Sequence, residues 1–131
     1  MVSVIYIALA GLLIVKLSLN VIALRRQHRV SVGDGGHEAL MLAIRTQANA
    51  TEYLPIALLL LVGLELNHAP KLLLHGLGIL LLAGCCLHAF GLSQSVMNYR
   101  VLGMQITLFW IIGVAVLNLV FLPFDALFAA G

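Results

Sequence analysis

The chain has 131 residues, of which 63% are apolar and only 9% charged. A soluble domain carries about 25% charged residues, so the composition excludes a water-soluble globule and indicates one integral membrane domain over residues 1–131. The formal charge of +2 comes with no basic run long enough to grip phosphates, which excludes a nucleic-acid partner.

Four apolar segments are long enough to span a bilayer, and together they predict an all-α bundle of four transmembrane helices. The first, Val2 to Leu24, lacks a basic n-region and has the ~20-residue length of a full span. It is read as a retained helix rather than a cleaved leader. Lys16 and Asn20 interrupt it one turn apart on one face. Two readings stand for this pair. Either the lysine snorkels toward the interface beside a packing amide, or both line a cavity between helices. Arg25, Arg26 and Arg29 follow, and Gly33-Asp34-Gly35-Gly36 has turn chemistry. That run lacks the strand, spacing and lysine of a phosphate loop.

The second segment, Glu38 to Leu66, would reach ~44 Å as one helix, more than a ~30 Å hydrocarbon core. It carries the most informative pattern in the chain. Taking Arg45 as reference, Asn49 falls near +40°, Glu52 near −20° and Tyr53 near +80° around the helix axis, at about 100° per residue. One face thus bears a cation, an amide, an anion and a phenol. Each intramembrane ionisable group costs roughly 2.5–3.5 kcal/mol on insertion scales, so such a face meets a partner helix or a polar ligand rather than lipid. Pro55 follows the stripe and predicts a kink that widens a cleft there.

The third segment, Leu72 to Leu92, contains Gly76, Gly78 and Gly84, small residues that permit close packing. His75 and His88 stand on it without a third ligand at metal spacing, so no metal is expected. Cys85 and Cys86 point about 100° apart on a helix, which suits neither a disulfide between them nor a shared metal. They read as small buried residues. A short polar loop, Ser93 to Tyr99, leads to Arg100 and the fourth segment, Val101 to Leu122, with Gln105, Thr107 and Asn118.

Arginines flank the first and third connections, whereas the second has only Lys71. The positive-inside rule then places loops one and three in the cytoplasm. Arg25, Arg26, Arg45, Gln47, Asn49, Glu52, Tyr53, His88, Tyr99 and Arg100 all belong near that side. A pocket with more cations than acids suits a small zwitterion with more carboxylates than amines. Glutathione meets that description, but the physics of these residues does not single it out.

The motif Arg45-x-Gln47-x-Asn49-x-x-Glu52-Tyr53-x-Pro55 resembles the helix-two signature of the membrane-associated proteins in eicosanoid and glutathione metabolism, the MAPEG family. The run Val21 to Ser31 resembles the first loop of its leukotriene C synthase branch, and Gly33-Asp34-Gly35-Gly36 with Ala43-Ile44-Arg45 resembles small bacterial members. The resemblance covers nearly the whole chain. It implies a four-helix bundle assembled as a homotrimer in a bacterial inner membrane. It implies glutathione as co-substrate between neighbouring subunits near the cytoplasmic side, and a lipophilic partner arriving from the bilayer lipid. Arg25, Arg45, Gln47, Asn49, Glu52 and Tyr53 would hold glutathione, with His88 and Tyr99 nearby. Arg100 would stabilise the thiolate, with Arg26 assisting the reacting group. His88 and Leu92 stand where the family often has tyrosines, so that wall differs.

Three functions compete. The first is a glutathione transferase or peroxidase acting on lipophilic electrophiles or peroxides. The second is a non-enzymatic lipid-binding protein of the same fold. The third, a small multidrug transporter, fits poorly: such proteins use an acid in helix one, where this chain has Lys16. A simpler role for Arg45, Asn49 and Glu52 is polar glue between helices.

Overall fold

The computed structural model describes residues 1–129. Four long helices, α1 (Ser3–His28), α2 (Glu38–Leu66), α3 (Lys71–Ser93) and α4 (Met97–Val120), are each long and apolar enough to cross a membrane. A short α5 (Phe124–Phe128) follows α4. The connections are short, so successive helices run antiparallel. One end of the bundle gathers the α1–α2 and α3–α4 turns with their arginines. The other gathers the N-terminal residues and the α2–α3 turn.

Two helix boundaries differ from the sequence reading. α1 runs one turn past Leu24, through Arg25, Arg26 and His28. Arginine is a good helix former, and cations at a helix C-terminus are favoured by its dipole. α1 stops at Arg29, which adopts the left-handed conformation (φ 57°). The third connection is also shorter than predicted. Ser95 takes φ 57° and the Val96 amide donates to the Gly91 carbonyl at 2.8 Å, closing α3. α4 then starts at Met97, so Tyr99 and Arg100 lie in its first turn rather than in a loop. α2 is a single helix that continues through Pro55.

The core faces follow helical periodicity. α2 buries Leu40, Ala43, Thr46, Ala50, Leu54, Ala57, Leu61 and Leu64, a row centred about 140° from Arg45. Close packing rests on glycines, though not all those expected. A Cβ on Gly91 would lie 2.3 Å from the Arg100 amide nitrogen, and one on Gly103 would lie 2.4 Å from the His88 nitrogen. α3 and α4 therefore touch backbone to backbone at both points. Gly78 accommodates the Tyr6 ring and Gly84 meets Ile106, whereas Gly76 faces nothing within 4 Å.

Polar groups fasten the helices at the other end. The Glu65 carboxylate accepts from the Val2 amide, the Ser3 amide and the Ser3 hydroxyl. The Tyr6 hydroxyl lies 3.1 Å from the His75 carbonyl and 2.9 Å from its Nδ1. Trp110 Nε1 donates to the Leu77 carbonyl at 2.8 Å, and Asn118 Nδ2 to the Leu60 carbonyl at 2.8 Å. These bonds satisfy backbone groups in a setting where water is scarce.

Candidate functional site

The stripe residues lie on the outer surface of α2. Arg45 and Glu52 are exposed, while Asn49 and Tyr53 are half-buried; Gln47, about 160° around the helix from Arg45, is half-buried away from the stripe. The helical angles explain the gradation. Tyr53 stands between the stripe axis and the buried row, and Glu52 points furthest from it. Among the described residues, the side chains of Arg45, Asn49, Glu52 and Tyr53 make no hydrogen bond within the chain. The same holds for Gln47, whose backbone carbonyl alone accepts from Thr51 Oγ1 at 3.2 Å.

Arg25 and Arg26 stand on the last turn of α1. With Ile22, Arg29, Val30 and Ser31 they line a hollow of about 330 Å³. Arg25 has a structural task too: Nη1 donates to the Gly33 carbonyl at 2.7 Å. This bond, the Asp34 Oδ1 acceptor for the Gly36 amide at 2.9 Å, and the stacking of His28 on His37 (centroids 3.9 Å apart) shape the turn into α2. Gly33, Gly35 and Gly36 all take positive φ there, which explains the run of glycines.

His88 and Arg100 meet at the α3–α4 contact. With Met97, Val101, Met104 and Gln105 they line a cleft of about 410 Å³. His88 is 5% exposed, and its Nδ1 lies 2.9 Å from the Arg100 carbonyl. A carbonyl only accepts, so Nδ1 carries the proton and donates it. His88 thereby ties α3 to the first turn of α4. Tyr99 is exposed, with its ring tilted against Phe90 at 5.9 Å.

One chain therefore collects the predicted residues into three groups: the α2 stripe, the α1 arginines, and His88 with Arg100 and Tyr99. It does not join them into one pocket. None of the stripe residues lines the clefts of the other two groups.

A further cleft, about 510 Å³, lies between α1, α2 and α3 and is lined by Lys16, Asn20, Thr46, Cys86 and Ser93 among others. Of the two readings of Lys16 and Asn20, the structure selects lining a cavity. Cys86, expected to be a small buried residue like Cys85, is instead exposed and lines this cleft, whereas Cys85 is buried; nothing in the sequence singled out Thr46. Their place here depends on how α1, α2 and α3 meet, which no local signal encodes.

The MAPEG family model matches residues 3–120. The chain is 40% identical to "Inner membrane protein YecN" of Escherichia coli (strain K12) over 129 residues, 98% of each chain. The same identity and coverage hold for the protein of that name from Escherichia coli O6:H1. A match of this extent includes all four long helices and both arginine-bearing turns, and the chain belongs to the MAPEG family.

Proposed function

We propose that this chain is a membrane-bound glutathione transferase or peroxidase of the bacterial inner membrane, built as a homotrimer with glutathione held between subunits. The observation that carries the reading is the α2 stripe. Its cation and anion face outward from one chain with no partner in it, at a depth where lipid is an unfavourable neighbour. A second copy placed against this face would cover it and bring up the missing groups. Arg45 and the Arg25 guanidinium suit the two carboxylates of glutathione, Glu52 its ammonium, and Gln47, Asn49 and Tyr53 its peptide groups. Arg100, in the first turn of α4, suits the thiolate, and Arg26 the departing or incoming group. His88 and Tyr99 complete that wall. The name of the Escherichia coli relative places that protein in the inner membrane. By the positive-inside rule, the arginines of the α1–α2 and α3–α4 turns support a cytoplasmic position for the site.

The reading is tested by calorimetric titration of glutathione into reconstituted protein, with cross-linking to count subunits. Removing one partner of a buried charged hydrogen bond costs several kcal/mol. Arg45→Ala and Glu52→Gln should each weaken glutathione about tenfold or more while the trimer persists. Unchanged affinity in assembled variants would make the stripe glue between helices. Binding without turnover of any electrophile or peroxide would make the protein a lipid-binding member of the fold.

A further inference from the structure

Lys16 has no role in the reading above, and its position is unusual. It stands 13 residues from Ser3 and 12 from His28 on α1, roughly 18–20 Å from either end at 1.5 Å per residue. A lysine side chain cannot snorkel that far. The residues around it explain where it goes. At the Glu65 end, α1 packs on α3, because Gly78 admits the Tyr6 ring and Tyr6 bonds to His75. Toward the arginine-rich end, α1, α2 and α3 enclose the 510 Å³ cleft, walled by Leu13, Leu17, Leu24, Leu42 and Phe90, and the exposed Lys16 and Asn20 lie along it. It begins at the level of Leu13 and Lys16, midway along α1, and rises to Leu24, Ala39 and Ser93 at the arginine-rich end.

No aspartate or glutamate lines this cleft, and among the described residues Lys16 makes no hydrogen bond or ion pair. A cation there, at the inner end of an apolar cleft, is complementary to an anion with an apolar body. Asn20, one turn nearer the mouth, adds an amide that can donate to the same group, and Thr46 stands on the facing wall.

We propose that this cleft binds a lipophilic monocarboxylate, with Lys16 paired to its carboxylate and its hydrocarbon body against the leucines and Phe90. Depth distinguishes this occupant from a membrane phospholipid. A phosphodiester is charged at any physiological pH and is anchored at the headgroup layer, ~15 Å from the middle of a ~30 Å core. A carboxylic acid reaches the same depth neutral and ionises beside the ammonium, its proton leaving to water at the cleft mouth. The inference is independent of the glutathione reading, because Lys16 lies on a different face from the α2 stripe.

The test uses the full chain in phosphatidylcholine nanodiscs. Binding of radiolabelled decanoic acid is measured, with empty discs subtracted, beside methyl decanoate. The acid should bind saturably at one site per chain and the ester should not. Lys16→Met should weaken the acid about tenfold or more, and Lys16→Arg should restore it. In a Cys85→Ala background, the acid should also slow maleimide labelling of Cys86, which lines the same cleft. Lys16→Met should leave glutathione binding unchanged, whereas Arg45→Ala should lose glutathione and keep the acid, so the two readings fail separately. Equal binding of acid and ester, or an unaffected Lys16→Met, would overturn the proposal. Displacement of the acid by equimolar phosphatidic acid would overturn it in favour of a lipid phosphate. Cys86 already shielded without ligand, in protein cross-linked as an oligomer, would overturn it in favour of a second copy.

Discussion

Arg100 shows how much a single residue's chemistry depends on what stands behind it. A cysteine thiol ionises near pH ~8.5, so little thiolate is present at neutral pH unless a positive charge lies close to sulfur. Arg100 offers a permanent charge on the first turn of α4, where unpaired amides and the helix dipole add to it. His88 grips the carbonyl of the same residue at 2.9 Å, so the turn carrying the guanidinium is held in place. Arg100→Ala should raise the apparent ionisation pH of bound glutathione and lower turnover, with affinity falling much less. Ultraviolet thiolate absorbance against pH, for wild type, Arg100→Ala and Tyr99→Phe, checks this. Superimposable curves for wild type and Arg100→Ala would remove Arg100 from the chemistry. A cation near the start of the fourth span was readable in the sequence. Its link to His88 was not, because the residues are 12 apart and meet only when α3 and α4 fold back on each other.

At the scale of elements, the α3–α4 pair is the closest contact in the bundle, and two glycines make it possible. Cβ atoms at Gly91 and Gly103 would meet backbone at 2.3 and 2.4 Å, and backbone cannot turn aside as a side chain can. Gly91→Ala or Gly103→Ala should each destabilise the protein by ~1–3 kcal/mol, the range for overpacking. Gly76→Ala should be neutral or stabilising by up to ~1 kcal/mol, since its surroundings are open and alanine is the better helix former. Thermal unfolding in one detergent, the three variants beside wild type, checks the order. Equal behaviour of Gly76→Ala and Gly103→Ala would mean the helices do not touch there. Composition marks glycines as candidates for close packing, but which of them face a neighbour depends on helix rotation and crossing. For that reason Gly76 was expected in a contact it does not make.

For the whole molecule, charge predicts the arrangement in the bilayer. Both arginine-bearing turns lie at one end of the bundle, which the positive-inside rule assigns to the cytoplasm. Ser31→Cys and Asn67→Cys, each in a background lacking Cys85 and Cys86, should label from opposite sides of the membrane with an impermeant maleimide. Labelling of both from one side would break the case for a cytoplasmic site. The four spans, their order and their approximate ends were legible in the sequence alone. Apolar runs of this length have one stable state in a bilayer, a helix whose backbone bonds close internally. The polar stripe was legible too, because residues on one helix keep fixed angles to one another whatever surrounds them. Tertiary structure alone decided which way that stripe faces, and it turned Arg45 and Glu52 away from the chain's own core. It alone decided that Lys16 lines a cleft, since the cleft is formed by residues of three different helices, α1, α2 and α3. Relations within one helix are local geometry and can be counted along the chain. Relations between helices depend on which small residues let two backbones approach, and that is settled only when the surfaces meet.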